Sequence, residues 1–386
     1  MKTLAINESK NLEIMKIATF NVQNLFHRDR SLLEKPFGKN LTDWINELDA
    51  LMLQTSKSLS QQDRIKELSF LIGFEKPSPR PYAILRRKAG LLYMKGLSHS
   101  LENKADVITN WNGWIELQTV PIHPKATDHK AQVIADINPD ILLLQEIEDR
   151  ASFEDFNQLI LPEFDCKPFT HSFVIQSNDM NSLEMAIALR QGYNLEAVRT
   201  HNINSISNDD GKNLIEYEIS TPSKEIIWLL NAYLKKPTKD RTQSDNIRKK
   251  QVSKIAEVYN KLIAKGKVNV IIAGTFNAPS YCNSLSPLIQ NTDLKDITKH
   301  LSFEVDIDKG NDGTYFRLGA YRMGVNIKQK DYMLFSPALF KKMKDSGLNR
   351  KAMWPEKHPQ WSIYKSVSNR NVAASEHPLV WGKINI

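Results

Sequence analysis

The sequence predicts an α/β layered architecture, because short apolar strand-like runs alternate with segments of helical periodicity. Residues 15–21 form a short, apolar and β-favouring run. Residues 140–146 contain a continuous apolar run at 141–144, as in a strand that is buried on both faces of a sheet. Polar residues suited to binding or catalysis follow several of these runs, so we expect a functional site at the strand ends.

The remaining elements continue this alternation. A helix is predicted before the second strand, with Val133, Ile134 and Ile137 on one face and Pro139 ending it. A second helix follows the third strand, and Gly266 is its predicted C-cap. The third to sixth predicted strands are residues 226–234, 268–273, 331–335 and 379–386.

The pattern changes at about residues 27–128, which we interpret as a long, mainly helical insertion. We predict one domain over residues 1–386, with residues 1–14 as an N-terminal extension, although the length alone would also allow two domains. Trp111 and Trp114 lie in the insertion, where they could stack on bases, but packing is the commoner role at this spacing.

Composition narrows the class of protein. The chain has 386 residues and a formal net charge of +8, which favours polyanionic partners such as nucleic acid or phosphorylated ligands but is also compatible with mere solubility. Cys166 and Cys282 are far apart and form no CxxC motif, so neither a disulfide framework nor a zinc site is indicated. The sequence shows neither an apolar signal segment nor a run of ~20 apolar residues, so we expect a cytoplasmic protein without a membrane partner.

Chemistry-bearing residues lie at the predicted strand ends. Carboxylate, amide and imidazole groups that converge from several strands can bind one hard cation and one phosphate. Taken singly, each of these residues can also have an ordinary structural role, such as an asparagine in a turn or a glutamate exposed to solvent. The set is Asn21, Asn24, Glu146, Tyr233, Asn277, Asp331 and the triplet Ser375, Glu376 and His377.

Apart from Tyr233, these residues lie in segments that resemble five motifs of the endonuclease/exonuclease/phosphatase superfamily, which includes DNase I and the exonuclease III-type endonucleases. The five occur in the family's order and roughly its spacing. The resemblance implies a DNase I-like four-layered α/β sandwich of two mixed β-sheets flanked by helices, here with a helical insertion as in one bacterial branch. The matching segments are residues 17–26, 139–146, 274–279, 330–334 and 375–377.

The resemblance implies a Mg²⁺ (or Mn²⁺) site formed by Glu146, Asn21, Glu376 and Gln23. Glu376 stands where the family has an aspartate, so it keeps the charge on a longer side chain. Gln23 stands where an acidic residue is common, and it offers only a neutral carbonyl oxygen.

The resemblance also implies a catalytic set that contacts phosphate. Asp331 and His377 match a dyad in which the aspartate orients the imidazole. Asn277 matches an asparagine that contacts the scissile phosphate. Tyr233 occupies a position that is His or Tyr in relatives, and its phenol can hydrogen-bond a phosphate.

Thr275 is the main departure from the family pattern, because relatives have an aspartate there that orients or deprotonates the attacking water. A threonine hydroxyl cannot act as a general base near neutral pH. General-base assistance contributes roughly 10²–10⁴-fold, so the replacement removes about 3–5 kcal/mol of barrier lowering. Thr275 and Gln23 also remove negative charge that a hard cation needs.

Three functions follow from these patterns. The favoured one is a divalent-metal-dependent phosphodiesterase, specifically a nuclease, weakened by Thr275 and Gln23. The alternatives are a catalytically degenerate protein that binds nucleic acid or a phosphorylated ligand, and a phosphatase acting on a small phosphorylated substrate. Basic residues follow Tyr233, and they either approach such a ligand or form the solvated face of a helix. They are Lys235, Lys236, Lys239, Arg241, Arg248, Lys249 and Lys250.

Overall fold

The computed structural model describes twelve stretches of the chain. These are residues 13–29, 39–54, 56–72, 84–89, 92–95, 113–116, 119–148, 150–175, 184–203, 214–304, 329–355 and 361–386. The helices of these stretches are α1 (Lys39–Met52), α2 (Leu59–Ile72), α3 (Pro124–Ile137), α4 (Arg150–Asp155), α5 (Arg241–Ala264), α6 (Ser286–Ile289) and α7 (Pro337–Phe340). No helix in these stretches is both long and apolar enough to cross a membrane.

The strands of the described stretches are numbered in chain order. The first nine are β1 (Ile14–Asn21), β2 (His27–Asp29), β3 (Ile84–Ala89), β4 (Leu92–Lys95), β5 (Gly113–Glu116), β6 (Thr119–Pro121), β7 (Ile141–Ile147), β8 (His171–Ile175) and β9 (Glu184–Leu189). The others are β10 (Asn194–His201), β11 (Leu214–Ser220), β12 (Ile226–Tyr233), β13 (Val270–Thr275), β14 (Lys295–Asp296), β15 (Phe303–Glu304), β16 (Asp331–Phe335), β17 (Met343–Asn349) and β18 (Leu379–Asn385).

Two mixed sheets form the body of the described structure. The first has the order β15-β17-β18-β1-β7-β9-β8, and the second has the order β10-β11-β12-β13-β16-β14. Each contains one central parallel pair, β1 with β7 and β12 with β13, flanked by antiparallel neighbours. The predicted α/β sandwich of two mixed sheets is therefore confirmed.

Apolar side chains fill the space between the sheets and cover their outer faces. The inner core includes Ile17 and Leu143 from the first sheet and Leu229 and Ile271 from the second. Outer clusters join the first sheet to α3 and the second sheet to α5. Every residue of β7 and β13 is buried, which explains why these strands read as continuous apolar runs in the sequence.

The two parallel pairs place the predicted site residues at one end of the sandwich. Asn21 lies beside Gln145 at the end of the first pair, and Tyr233 lies beside Thr275 at the end of the second. Because β16 is antiparallel to β13, its first residue, Asp331, also lies beside Thr275. The carboxyl ends of the parallel strands and the amino end of β16 therefore meet.

The structure matches the six predicted strands closely and adds others. Strands β8 to β11, β14, β15 and β17 were not predicted, and neither were the strands of the insertion. The described part of the insertion, which was interpreted as mainly helical, contains helices α1 and α2, but an antiparallel sheet of order β4-β3-β5 follows them. Trp114 lies in β5, while Trp111 lies outside the described residues. The division of the chain into a domain, an extension and an insertion stays a prediction.

Candidate functional site at the strand ends

Glu146 is the buried carboxylate at the end of β7. Its side chain is 3% exposed, and its backbone has a φ of 57°, which turns the residue out of regular strand geometry. Its Oε1 accepts hydrogen bonds from the Tyr233 hydroxyl at 2.5 Å and from Asn21 Nδ2 at 3.1 Å. Lys236 Nζ forms an ion pair with the same oxygen at 2.8 Å. We call Glu146 and these three partners the Glu146 half of the site. In it, hydrogen-bond donors of the protein itself surround the buried carboxylate.

The surroundings of Glu146 keep it ionised. Burial by itself raises the pKa of a carboxyl, but the Lys236 ammonium, the nearby His377 and the Tyr233 hydroxyl outweigh burial and lower the pKa of Glu146 to about 2. A carboxylate with so low a pKa is a weak proton acceptor. Glu146 therefore acts as a fixed negative charge rather than as a general base.

Asp331 and His377 form the dyad that the sequence predicted, and we call this pair the dyad half of the site. His377 Nδ1 donates to the Asp331 carboxylate, with distances of 2.9 and 2.8 Å to its two oxygens. Both side chains are about 95% buried. Among the residues that the structure describes, none hydrogen-bonds to His377 Nε2. Because the carboxylate fixes the ring orientation and the tautomer, Nε2 is the nitrogen that can meet a ligand.

Thr275 joins the two halves. Its Oγ1 donates to Asp331 Oδ1 at 2.8 Å and accepts from Asn21 Nδ2 at 3.1 Å. The residue is fully buried. Where the resemblance implies an acidic residue, this chain therefore has a neutral hydrogen-bond bridge between the sheets.

Backbone geometry explains how β12 and β13 approach each other at the site. Gly274 has a φ of 135°, and a Cβ there would lie 2.0 Å from the carbonyl oxygen of Ala232. Asn277 has a φ of 57°, and its Nδ2 donates to the Leu234 carbonyl at 2.8 Å. One of the two amide N–H groups of Asn277 is thus used inside the protein, which leaves the other for the predicted phosphate contact.

Helix α5 fixes the loop that carries Lys236. The Arg248 guanidinium donates to the Lys235 carbonyl through Nε at 3.1 Å and Nη2 at 3.0 Å, and the Lys235 amide donates to Gln251 Oε1 at 3.0 Å. Arg248 has a side-chain exposure of 1%, so it belongs to the interior and not to a ligand-facing surface. Of the basic residues predicted after Tyr233, Lys236 reaches the site directly.

The predicted metal ligands do not present a common set of oxygen donors. Asn21 Oδ1 accepts the Gln23 backbone N–H at 3.0 Å, so the amide nitrogen rather than the oxygen faces Glu146. Gln23 Oε1 accepts the Glu376 backbone N–H at 2.8 Å. The Glu376 carboxylate pairs with Arg370.

A Mg²⁺ ion prefers several oxygen ligands, carboxylates in particular. Of the four predicted ligands, only the Glu146 carboxylate lies at the centre of the site, and it is paired with Lys236. In the described part of the chain, no cluster of three or more His, Cys, Asp or Glu side chains is suited to a metal ion. The donor chemistry of this arrangement therefore does not fit Mg²⁺.

Sequence reasoning missed two contributors to the site. Lys236 was one member of a basic cluster, and nothing in the pattern singled it out except its position three residues after Tyr233. Glu148 lies two residues after Glu146, and its carboxylate accepts the backbone N–H groups of Leu25 at 2.8 Å and Phe26 at 2.6 Å. It thereby shapes the loop after β1, in which Gln23 is held.

Comparison with solved structures finds similar folds at low sequence identity. Truncated TDP2 from Caenorhabditis elegans is 18% identical, with a TM-score of 0.45 over 68% of this chain and 90% of that chain. A mannosyl-6-phosphatase from Bacteroides thetaiotaomicron is 13% identical, with a TM-score of 0.46 over 66% of this chain and 88% of that chain. The catalytic domain of human Nocturnin, with a bound sulfate, is 14% identical, with a TM-score of 0.42 over 66% and 85%.

No protein-family model matches the sequence, and no curated protein matches it. Similarity at such identities leaves the activity open, because one fold hosts many functions. The assignment therefore rests on the chain's own residues, which carry the motifs in order and meet where the two sheets end. The two packed mixed sheets and the meeting of the motif residues at their ends agree with the α/β sandwich that the resemblance to the endonuclease/exonuclease/phosphatase superfamily implies.

Proposed function

We propose that the strand-end site binds a phosphodiester group of nucleic acid, and that binding rather than turnover is its main capacity. The observation that carries this proposal is that the Asp331–His377 dyad and the Lys236 ammonium lie at the same end of the sandwich. A phosphodiester has two anionic oxygens that share one negative charge. The imidazolium form of His377, which carries N–H at both ring nitrogens, and the Lys236 ammonium are suitable donors to these oxygens.

The Lys236 side chain has the exposure that such a role needs. Its side chain is 42% exposed, whereas its partner Glu146 is 3% exposed. An ammonium has three N–H donors, so the bond to Glu146 leaves donors for a ligand. The net charge of +8 adds a long-range attraction for polyanions.

The same residues argue against efficient hydrolysis. Thr275 cannot deprotonate water, and the low pKa of Glu146 makes that carboxylate a poor base. Loss of general-base assistance lowers rates by roughly 10²–10⁴-fold. A ligand can therefore be held at the site without being cleaved quickly.

A second candidate is the metal-dependent phosphodiesterase, a nuclease, that the motifs suggest. The Asp331–His377 dyad favours it, because a neutral imidazole oriented through Nδ1 can accept or return a proton at Nε2. The divalent ion of this candidate is Mg²⁺ or Mn²⁺. With Glu146 paired to Lys236, the donors at the site do not fit that ion.

The test measures binding and cleavage on the same oligonucleotides. Fluorescence anisotropy at several salt concentrations is expected to show binding with a negative salt slope. His377→Asn is expected to weaken binding by about tenfold, because it removes a charge-assisted hydrogen bond. His171→Asn is the matched control, since His171 is exposed on β8 and is expected to leave the affinity unchanged.

Each outcome has a distinct meaning. Absence of binding by the wild-type protein contradicts the proposal. Mg²⁺- or Mn²⁺-dependent cleavage that is lost in His377→Asn would establish the nuclease instead. Phosphate release from phosphomonoesters without oligonucleotide binding would establish a phosphatase for small substrates.

A further inference from the structure

The ion pair between Glu146 and Lys236 lies at the centre of the site. The inference drawn from its position rests on the proposed phosphodiester binding. We propose that the Lys236 ammonium is the resident cation of the Glu146 half, so that the chain holds a phosphodiester without a divalent metal. The lysine supplies the positive charge next to the ligand, and because it is part of the chain this cation cannot dissociate from the site as a bound metal ion can.

The first support is the occupancy of the Glu146 carboxylate. Its Oε1 accepts from the Tyr233 hydroxyl at 2.5 Å and from Asn21 Nδ2 at 3.1 Å, and it pairs with Lys236 Nζ at 2.8 Å. A metal ion that coordinated this oxygen would have to displace the ammonium and lose its ion pair. Hard cations gain affinity from the number of ligand charges, and the lysine cancels the charge that Glu146 offers.

The second support is the orientation of Asn21. Its Oδ1 accepts the Gln23 backbone N–H at 3.0 Å, so its Nδ2 must face Glu146. Thr275 enforces the same orientation, because its hydroxyl hydrogen goes to Asp331 and its oxygen then accepts from Asn21 Nδ2. Threonine at position 275 therefore points N–H groups, rather than oxygen ligands, at Glu146.

The third support is the construction of the loop behind Lys236. The preceding residue, Lys235, is held through its carbonyl by buried Arg248 and through its amide by Gln251. Asn277 holds the carbonyl of Leu234 in the same loop. Backbone anchors on these two neighbouring residues reduce the entropy that the lysine loses when it reaches Glu146, so the ammonium is placed in advance of ligand binding.

The experiment compares oligonucleotide affinity in EDTA and in Mn²⁺ for three proteins. Wild type is expected to bind equally in both. Lys236→Met is expected to lose at least about tenfold in affinity in EDTA, because a desolvated charge contact to the ligand disappears. Lys239→Met is the charge-matched control, since Lys239 is exposed in the same loop and is expected to lose less. Lys236→Arg retains the charge and is expected to restore binding in EDTA.

A second readout uses no ligand. Electron paramagnetic resonance titration of wild-type protein with Mn²⁺ is expected to show no site that depends on Glu146, as judged against Glu146→Gln. Lys236→Met is expected to gain Mn²⁺ affinity, because the buried carboxylate has lost its counter-charge. Circular dichroism melting of each variant checks that it is folded.

The outcomes separate this inference from the function on which it rests. A wild-type affinity that requires Mn²⁺, or a stoichiometric wild-type Mn²⁺ site that Glu146→Gln removes, overturns the role of Lys236. If no oligonucleotide binds in any condition, the proposed function fails, and the Mn²⁺ titration still decides whether the lysine has taken the cation's place.

Discussion

The Glu146 half and the dyad half of the site derive from equally recognisable motifs, yet they differ in what they can still do. Asp331 and His377 keep the arrangement that the motif implies, with the imidazole oriented by a carboxylate. Glu146 keeps its place at the end of β7, but Lys236 and Asn21 have turned N–H groups toward it. Under the proposed function, recognition of phosphate and binding of a metal are separable properties of this fold.

Hydrogen-bond direction is the physical basis of this difference. In the Glu146 half the groups that a metal would need as acceptors already receive protein donors. In the dyad half, the aspartate accepts from Nδ1 of the imidazole, and none of the described residues hydrogen-bonds to Nε2. Thr275 couples the halves, because its hydroxyl serves one half as a donor and the other as an acceptor.

The largest expected effect comes from the scaffold that both halves share. Gly274→Ala would place a Cβ 2.0 Å from the Ala232 carbonyl oxygen and impose a φ of 135° on an L-residue. We expect a loss of at least ~4 kcal/mol in the free energy of unfolding, measured by urea denaturation. Gly266→Ala is the control, because Gly266 also has a positive φ but no heavy atom lies within 4 Å of the new Cβ. Equal losses in the two variants would contradict the close approach of β12 and β13.

The second effect tests whether the Glu146 half depends on α5. Arg248→Met removes a buried guanidinium from the Lys235 carbonyl, and we expect a loss of about 3 kcal/mol in the free energy of unfolding. Oligonucleotide affinity should fall together with it, because Lys236 loses its support. Arg241→Met, at the exposed start of the same helix, should change neither quantity appreciably. A stable Arg248→Met variant with normal affinity would show that the loop does not need this anchor.

The third effect is a pH dependence of stability from Glu146. Its pKa is about 2 in the folded protein, below the ordinary value of 4.5, so the unfolded chain binds more protons in this range. The stabilisation is present above about pH 5 and is lost as the pH falls toward 2, with a size of ~3 kcal/mol. Acid denaturation of Glu146→Gln should lack this component, whereas Glu163→Gln, at an exposed position, should retain it. An unchanged acid profile in Glu146→Gln would contradict the lowered pKa of Glu146 in the folded protein.

The smallest effect tests the bridge between the halves. Thr275→Val keeps the side-chain volume but removes the hydrogen bonds to Asn21 and Asp331, so we expect a loss of about 1 kcal/mol in the free energy of unfolding. Thermal or chemical denaturation measures it, with Thr200→Val on the exposed strand β10 as the control. Without the Thr275 oxygen, the Asn21 amide can turn its own oxygen toward Glu146. The Mn²⁺ affinity of the Thr275→Val variant should then rise above that of wild type. A variant as stable as wild type, with unchanged Mn²⁺ binding, would remove Thr275 from the explanation.

The strands that are easiest to predict from the sequence are those buried on both faces, because such burial leaves a continuous run of apolar residues. The β7 and β13 strands are such cases, since every residue in them is buried and apolar runs result. Strand β10 was missed because most of its residues are exposed or only partly buried, so its sequence lacks a continuous apolar run. The insertion sheet was missed because helical spacing in α1 and α2 was extended to the residues after them.

The sequence by itself determined the layered α/β fold, the residues that stand at the strand ends, and the presence of threonine at position 275. Only the tertiary structure decided which atoms of these residues face one another. The Asn21–Thr275 hydrogen bond joins residues 254 positions apart, and Lys236 meets Glu146 across the two sheets. Local patterns determine backbone structure and burial, whereas the direction of a buried hydrogen bond depends on all the partners that the fold brings together.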